Sequence, residues 1–527
     1  MAIVIVNMSR NALNLAALFL AASGSVHAAQ LTAPMAASPV ASSSASPAFT
    51  HGYTPTSQLP PQVQREFRAA WISSVGENSW LAQLTGKSTA EQKAALIAML
   101  DRAQQLRLNT IIFQVRPSCD AVYASSIEPW SEYVTGIQGR APQPFYDPLE
   151  FVIEEAHKRG LEVHAWFNPY RAHHADAKSP IAPNHISRTR PDLVRSYGKY
   201  LWLDPGERDV QDYSIRVILD VVKRYDIDGV HLDDYFYPYM EKDYAGRPVD
   251  FPDNVSWRKY GANSGLGHAD WRRENVNTFI QRADNSIHTY KPWVKFGISP
   301  FGIWRPGNPP QIRGKDAYSE LFADSRKWIA HGWADYFSPQ LYWDSETREQ
   351  SFPVLLKWWD DQNLQHRGLW PGIDTTKVQN GKWTPDEIIR QIRLSRGVEQ
   401  PGQVFWGMKD LMYNPGGLDQ RIYSEVYTAP ALVPVMPWLA GTNAPPARPL
   451  LAAKLEIGSV KLDWVKTDTS NLHAWLLQRR VNGVWLTDIL PATRTGCELS
   501  GQPELIAVTA VDRIGRTSPP ATMQLLK

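Results

Sequence analysis

Short apolar runs alternate with amphipathic segments of helical period along most of the chain, from about residue 65 onward. Apolar runs of this length predict buried strands, and the segments between them predict helices that bury one face. The alternation repeats eight times, which is typical of the α/β class and of a (β/α)8 TIM barrel. The predicted strands are Glu66–Val75, Leu108–Pro117, Leu161–Tyr170, the first half of Ile227–Pro238, Lys295–Ile303, Ala334–Trp343, Gly368–Lys377 and Gln403–Met412.

Local signals support the helices that separate these strands. Ser88 and Glu91 form a predicted capping box, and Gly160 follows the end of another helical pattern. The helices are predicted at 88–106, 148–159, 209–225, 270–290, 318–331, 351–363 and from 384. Long loops follow the second to fifth strands, which fits an elaborated C-terminal barrel face.

The C-terminal part of the chain has a different pattern. From about residue 450 short runs alternate with period two, and turn signals such as Asn482-Gly483 separate them, which predicts a small β-sandwich. The segment AVTAVDRIGRTSPP is similar to the closing strand and turn of a fibronectin type III domain. We therefore expect a barrel at 61–430, a Pro-rich linker at 431–449 and a fibronectin type III-like sandwich at 450–527.

The N-terminus has the pattern of an export signal. Arg10 is the only charge in the first 50 residues, an apolar run covers Ala12–Ala22, and Val26-His27-Ala28 offers a cleavage site. We read 1–28 as a signal peptide and the Ala-, Ser- and Pro-rich residues 29–60 as a flexible tether. No lipid-accepting cysteine lies near the cleavage site, so we expect a soluble periplasmic protein.

Composition narrows the function classes. The formal net charge is only +2, which argues against a nucleic-acid partner, and no later apolar run reaches the length of a transmembrane segment. The 21 Trp and 21 Tyr suit aromatic platforms for sugar rings. Cys119 and Cys497 lie in different predicted domains, and two free thiols are favoured over a disulfide.

The stretch Ile227–Pro238 contains the main chemical candidates. Its alternation places Val230 and Leu232 on one face and His231 and Asp233 on the other. Asp233 therefore stands at the C-terminal end of a barrel strand, where such barrels place catalytic groups. By the same alternation Asp234 points away toward the rim, in a supporting role.

The alternation also nominates inward-facing side chains on the other strands, Ser299 among them. If the chain folds as the predicted barrel, these side chains converge on one cleft that contains amides, aromatic walls and a single cation. The candidates for substrate binding are Gln114, Arg116, His164, Trp166, Asn168, Tyr170, His231, Tyr235, Gln340, Tyr342, Trp343 and Trp370.

This inventory suits glycoside cleavage. One carboxyl group must protonate the leaving oxygen, and a second must act as nucleophile or as base for water. Asp233 is assigned the principal role with Asp234 beside it, and the acid is sought among Asp374, Asp344 and Glu128, in that order. No metal or cofactor is expected.

Each of these residues also has a purely structural interpretation. An Asp-Asp pair can cap a loop, His231 can be a hydrogen-bonded core histidine, and Arg116 can belong to a buried ion pair. His173-His174 is read as a solvated loop pair. Their shared position at strand ends favours the functional interpretation.

Several runs resemble the glycosyl-hydrolase-like 10 family: REFRAAWISSV, NTIIFQVRPSCDAVYASSIEPWS, YDPLEFVIEEAHKRGLEVHAWFNPYRA, IDGVHLDDYFYP and DYFSPQLYW. The resemblance covers roughly residues 63–430. It implies an exported barrel protein and, through a member that acts during cell separation, cleavage of peptidoglycan glycan strands stripped of their stem peptides. Peptidoglycan strands are thus the expected partner, and the cell-division machinery is a candidate partner.

Two other functions stay open at this point. One is a metal-dependent polysaccharide deacetylase that uses His231 and Asp233, although no HExxH motif is present. The other is a non-catalytic protein that binds cell-wall carbohydrate on a barrel. For the leading hypothesis, Arg116 is the expected partner of the lactyl carboxylate that a denuded strand exposes on muramic acid.

Overall fold

The structure is a computed structural model that describes residues 52–75, 79, 81–468 and 471–526. The predicted signal peptide and residues 29–51 of the predicted tether lie outside these ranges. In chain order, the strands are β1 Tyr53–Pro55, β2 Phe67–Ile72, β3 Thr110–Arg116, β4 Glu162–Phe167, β5 Arg171–His173, β6 Val194–Tyr197, β7 Tyr200–Leu203, β8 Gly229–Leu232, β9 Lys295–Ile298, β10 Tyr336–Phe337, β11 Gly368–Leu369, β12 Gly372–Asp374, β13 Gly402–Trp406, β14 Leu450–Glu456, β15 Ser459–Val465, β16 Leu472–Val481, β17 Val484–Pro491, β18 Gly496–Ser500, β19 Leu505–Asp512 and β20 Ala521–Leu525.

Helices occupy most of the segments between the barrel strands. They are α1 Thr89–Gln105, α2 Glu132–Thr135, α3 Pro148–His157, α4 Ile186–Thr189, α5 Arg208–Arg224, α6 Asn254–Ser256, α7 His268–Tyr290, α8 Ala317–Glu320, α9 Ser325–His331, α10 Phe352–Gln362, α11 Thr376–Gln379, α12 Pro385–Ser395, α13 Met408–Met412 and α14 Leu418–Arg421, with single π turns at Trp257–Gly261 and Ile422–Val426. Among the described residues, no helix is both long and apolar enough to cross a membrane.

Nine parallel strands form one curled sheet in the order β11-β10-β9-β8-β4-β3-β2-β13-β12. The two edge strands are halves of one chain segment, interrupted at Trp370-Pro371. A parallel bridge between Gln340 and Gly372 joins the second half to the neighbouring segment. The sheet therefore curls back on itself in a TIM-barrel-like arrangement, and each of the eight predicted strand regions contributes to it.

The predictions fail mainly at the ends of elements. Pro371 cannot donate a hydrogen bond to the sheet, so the seventh predicted strand is split. The eighth ends at Trp406, and residues 408–412 form α13 instead. The helix predicted at 318–331 is divided into α8 and α9.

Three adjacent strands of this sheet are buried along their whole length. Every residue of β2, β3 and β4 is buried, because helices cover the outer face of a parallel sheet and side chains fill the inner face. At the inner face Trp370 stacks on Phe67 at 3.8 Å and on Tyr336 at 4.9 Å. The lower barrel interior is thus a packed core, and space for a site exists only above it.

The C-terminal strands form two antiparallel sheets that pack face to face. One has the order β1-β20-β19-β16-β17 and the other β14-β15-β18. Leu462 and Trp464 of the smaller sheet share a buried cluster with Trp475 and Val508 of the larger one. The predicted turn at Asn482-Gly483 joins β16 to β17 with both residues at positive φ, as a two-residue hairpin requires.

The sandwich contacts the N-terminal ends of the barrel strands through buried charges. Lys295, the first residue of β9, donates to Glu162 Oε1 at 2.9 Å and to the carbonyl oxygen of Arg513 at 3.0 Å. The Arg513 guanidinium donates to Asp228 at 2.8 Å and to Asp226 at 2.5 Å. This end of the barrel is therefore closed by ion pairs, opposite the end where Asp233 lies.

The segments expected to be tethers take part in this packing. Residues 53–55 form β1 and pair with β20, so the flexible tether predicted for 29–60 does not extend over them. Within the Pro-rich segment 431–449, Leu432 and Met436 are buried, and Leu432 pairs with the chain at residue 64. Both free cysteines expected from the sequence are confirmed, with Cys119 buried in the barrel.

Arg513→Met is expected to lower the free energy of unfolding by roughly 3 kcal/mol, because Asp228 would stay buried without its guanidinium partner. Urea unfolding of the full chain, followed by tryptophan fluorescence, measures the loss. The matched control is Arg480→Met, since Arg480 pairs with Glu504 at the sandwich surface and its loss should stay below ~1 kcal/mol. Equal losses in the two variants would contradict the proposed role of the buried pair.

Candidate active site

A cleft of about 370 Å³ opens at the C-terminal ends of the barrel strands. Its lining comes from segments that are far apart in sequence, which the parallel sheet brings together at one edge. The lining residues are Trp71, Ser73, Val75, Gln114, Trp166, Arg171, His174, Asp233, Asp234, Tyr235, Ser299, Gln340, Tyr342 and Trp406.

Asp233 lies directly after β8 and is 3% exposed. Its Oδ2 accepts hydrogen bonds from Trp166 Nε1 at 3.1 Å and from Asn168 Nδ2, and its Oδ1 accepts one from the Tyr235 N–H at 3.2 Å. The donors fix the orientation of the carboxyl group within the cleft. The structure thus places Asp233 where the sequence predicted it.

Asp234 lines the same cleft, so its predicted outward orientation is wrong. Strand β8 ends at Leu232. Asp233, the next residue, still follows the alternation, whereas Asp234 does not. The Asp234 carboxylate accepts hydrogen bonds from the Tyr239 hydroxyl and from Gln340 Nε2. Two consecutive carboxyl groups therefore face one cavity.

The surroundings favour the protonated form of this pair. Burial, and then the neighbouring charge of Asp234, raise the pKa of Asp233 to about 7. Burial also raises the pKa of Asp234, although hydrogen bonds from Tyr239 and Gln340 oppose the shift. Two carboxylates this close do not both ionise readily, so the pair holds a proton near neutral pH.

A chain of amides supports Asp233 from below. Gln114 accepts hydrogen bonds from Ser74 through its Oε1 and donates to Asn168 Oδ1 at 2.6 Å. That contact leaves the Asn168 Nδ2 group to donate to Asp233. Asn168 is fully buried, so it positions the carboxyl group without lining the cleft.

Aromatic rings form the walls of the cleft. Trp406 meets Trp71 and Trp166 edge to face, with ring centroids 6.1 and 6.2 Å apart. Tyr235 and Tyr342 complete the lining. Apolar walls with a few fixed polar groups are typical of ligand sites, and flat rings of this kind suit sugar substrates.

Arg116 and Glu128 were predicted to bind substrate and to supply the acid, but in the structure both have structural roles. A register irregularity between Gln114 and Arg116 displaces Arg116 from the inward face of β3. Its guanidinium donates three hydrogen bonds to Glu128 and also donates to the carbonyl oxygens of residues 168 and 169, and both side chains are at most 1% exposed. Neither residue is available to a substrate.

Asp374 and Asp344 do not line the cleft either. Asp374 accepts hydrogen bonds from the hydroxyl and N–H of Thr376, and burial raises its pKa. Asp344 caps the turn that follows it by accepting from the N–H groups of Glu346 and Thr347. Although partial burial opposes the shift, hydrogen bonds from the side chain of Thr347 and from these N–H groups hold the pKa of Asp344 below its usual range.

Several predicted binding residues belong to the core instead. His164 and His231 both contact the Tyr336 hydroxyl beneath the cleft, at 2.8 and 2.9 Å. His231 Nε2 also faces Ser299 Oγ at 3.0 Å and Trp71 Nε1 at 3.1 Å, so its two ring nitrogens are occupied. The ligand pair proposed for a deacetylase, His231 with Asp233, is therefore not assembled.

Three further residues that were predicted to bind substrate do not line the cleft, each for a local reason. Pro169 interrupts the chain after β4, so Tyr170 turns outward and packs against Phe279 at 5.2 Å. Trp370 is part of the lower core, where it donates to the carbonyl oxygen of residue 400. Trp343 packs against Phe301 at 5.8 Å, outside the cleft lining.

Some lining residues were not predicted. The same alternation, applied to the first and last strands, would have found Trp71 and Trp406. Arg171 and His174 follow the break after β4, where alternation gives no guidance. Burial, and then the charge of Arg171, lower the pKa of His174 to about 4, so this imidazole is neutral and is not a solvated loop residue.

One described group could offer three ligands to a metal ion, and it lies away from the cleft. Asp284, His288 and Asp335 place their ligand atoms within 4.8 Å of one another. His288 already bridges the two carboxylates, at 3.3 and 3.0 Å. Against the effect of burial, the hydrogen bonds that His288 donates to both carboxylates raise its pKa to about 10, so the group is an ion triad.

Comparison with known proteins identifies the family. A profile described as "Glycosyl hydrolase-like 10" matches residues 66–387. The chain belongs to this family. It is 42% identical over 424 residues to glycosyl hydrolase YngK of Bacillus subtilis strain 168, which covers 78% of this chain and 81% of the relative. It is 36% identical over 395 residues to glycosyl hydrolase DigH of Escherichia coli K12, covering 68% and 88%.

Similar solved structures share less sequence. The glycoside hydrolase domain of PgaB (BpsB) from Bordetella bronchiseptica aligns with a TM-score of 0.46 and 13% identity, over 68% of this chain and 98% of that chain. The catalytic domain of β-amylase from Paenibacillus polymyxa aligns with a TM-score of 0.43 and 13% identity, over 69% and 99%.

The raised pKa of Asp233 predicts a pH-dependent stability difference. An unfolded aspartate titrates near ~3.9, so between roughly pH 4 and pH 7 the folded wild type retains a proton that the unfolded chain has released. In that window wild-type stability falls as pH rises, by up to ~1.4 kcal/mol per unit. The free energy of unfolding of Asp233→Asn, minus that of the wild type, should therefore grow from about pH 4 to about pH 7 and level off above that.

Denaturant titrations at several pH values measure this difference. Asp344→Asn is the matched control, because the Asp344 carboxylate titrates below the window and its difference from the wild type should stay constant. If Asp233→Asn and the wild type keep parallel stability curves, the carboxyl group at 233 does not hold a proton near neutrality.

Proposed function

We propose that this protein is a glycosidase that cleaves the glycan backbone of peptidoglycan, with preference for strands stripped of their stem peptides, in cell-wall remodelling or daughter-cell separation. The observation that carries the proposal is the pair Asp233 and Asp234, buried side by side in an aromatic cleft at the C-terminal ends of the barrel strands. Membership of a glycosyl hydrolase-like family supports the same reaction class.

Asp233 is proposed as the general acid. A pKa of about 7 leaves it partly protonated at neutral pH, as protonation of a leaving glycosidic oxygen requires. The hydrogen bonds from Trp166 and Asn168 both reach its Oδ2, so Oδ1 is the oxygen with more freedom to carry the proton into the cleft.

Asp234 is proposed as the second carboxylate, acting as nucleophile or as base for water. Among the described residues, Asp233 and Asp234 are the carboxylates that line the cleft. The other candidates are engaged in structural contacts. Asp374 accepts a hydrogen bond from Thr376, Asp344 caps a turn, and Glu128 is paired with Arg116. Glu77 lies outside the described residues and is therefore included in the test below.

The substrate class comes from the family resemblance and from the character of the cleft. Trp71, Trp166 and Trp406 contribute aromatic rings to the cleft lining, and Gln340 contributes an amide beside the carboxylates. Export to the periplasm rests on the pattern of residues 1–28. The sandwich is proposed to be fibronectin type III-like, since its strand β19 and the turn after it carry the sequence similar to that fold.

Asp233→Asn is expected to reduce glycan cleavage by about 10³-fold or more, because it removes the proton donor at nearly constant shape. Purified sacculi, native and amidase-treated, are digested, and the soluble products are analysed by mass spectrometry. New reducing ends should appear, with more product from amidase-treated sacculi.

Asp344→Asn is the control, since Asp344 is a carboxylate of the same barrel face that does not line the cleft, and it should retain wild-type turnover. Glu77→Gln is compared with Asp234→Asn to locate the second carboxylate. Near-wild-type turnover by a folded Asp233→Asn would refute the assignment. Binding to sacculi with no new reducing ends would instead favour a non-catalytic carbohydrate-binding protein.

A further inference from the structure

Arg171 is a buried cation with unused hydrogen-bond donors in the cleft. It is 5% exposed and lines the cavity beside the two carboxylates. Its Nε–H donates to the carbonyl oxygen of Pro117 at 2.9 Å, and Nη2 donates to Asn168 Oδ1 at 3.0 Å. Within the described ranges, no side chain or carbonyl accepts a hydrogen bond from Nη1, and no carboxylate lies within ion-pairing distance of the guanidinium.

This arrangement differs from that of the other buried arginines of the barrel. Arg116 is paired with Glu128 at 2.6 Å, and Arg272 is paired with Asp253 at 2.6 Å. A buried guanidinium without a carboxylate partner is costly, and the fork geometry of its remaining donors matches a carboxylate. A ligand anion entering the cleft would supply the missing partner.

The neighbours of Arg171 favour an anion that belongs to a sugar. The ring of Tyr235 lies 5.3 Å from the guanidinium carbon, and His174, which lines the same wall, is neutral. On this side of the cleft, Arg171 therefore provides the positive charge, and the aromatic ring of Tyr235 lies beside it. An aromatic ring next to a charged donor suits a saccharide that carries a carboxylate substituent.

We propose that Arg171 binds a substrate carboxylate next to the cleaved bond, and that this carboxylate is the lactyl group of muramic acid. The inference rests on the proposed function and assigns to Arg171 the role that the sequence suggested for Arg116. Stem peptides convert the lactyl carboxylate to an amide, so recognition by Arg171 selects strands from which the peptides have been removed.

The test compares two glycan substrates in the full-length protein. One is a denuded strand with free lactyl carboxylates, and the other is the same strand with those groups reduced to alcohols. A charge-assisted hydrogen bond predicts that wild-type kcat/KM for the acid substrate exceeds that for the reduced one by about tenfold to a hundredfold. In Arg171→Gln this ratio should fall to near unity.

Taking the ratio removes effects that Arg171→Gln has on both substrates. Arg171 also supports Asn168, which holds Asp233, so the variant should lose some activity on the reduced strand as well, and that loss cancels. Arg305→Gln is the matched control, because Arg305 pairs with Asp316 on a loop of the same face and does not line the cleft. It should keep the wild-type ratio.

The outcomes separate this inference from the proposed function. Cleavage of both strands at equal rates by the wild type, or an undiminished ratio in Arg171→Gln, overturns the role of Arg171 and leaves the glycosidase intact. Cleavage of neither strand overturns both. Cleavage of a glucuronate-containing oligosaccharide in preference to the denuded strand overturns the lactyl assignment. If Arg171→Gln fails to fold, the wild-type ratio still tests the inference, because a ratio near unity overturns it.

Discussion

The burial of two consecutive carboxyl groups is the constraint around which the cleft is built. Removing a carboxylate from water costs several kcal/mol even after the protein relaxes. Here the cost is offset by donors from different segments: Trp166 and Asn168 for Asp233, and Tyr239 and Gln340 for Asp234. These hydrogen bonds do not offset the whole cost of burial, so the pKa of both carboxyl groups is raised. The same residual cost makes a proton available for chemistry near neutral pH.

The buried carboxylates at the two ends of the barrel differ in whether they have cationic partners. At the N-terminal end, Asp228 is paired with Arg513 and His157, and the sandwich covers the charges. At the C-terminal end Asp233 and Asp234 have no cationic partner within ion-pairing distance among the described residues, and the cleft is open to ligands. Stability is thus concentrated at one end and reactivity at the other, as in barrels generally.

Sequence reasoning succeeded where side chains lie on regular strands and failed where strands end. Alternation along β3, β4 and β8 correctly placed Gln114, Trp166 and Asp233. It misplaced Asp234 because β8 stops two residues earlier. It missed Arg171 because Pro169 breaks the strand, and a register irregularity displaced Arg116. Pro169 is visible in the sequence as a strand breaker, whereas the end of β8 and the register irregularity of β3 have no such signal. The eight strand regions and the sandwich were predictable from periodicity.

The most direct test of the account is the pH dependence of kcat/KM on denuded glycan strands, which reports the ionisation of the free enzyme. With Asp233 as the acid, activity should fall on the alkaline side with an apparent pKa of about 7. Because the charge of Arg171 lowers the pKa of Asp233, the alkaline limb of Arg171→Gln should move to higher pH. An alkaline limb that stays in place, or one absent below about pH 9, would contradict the assignment of Asp233 as the proton donor.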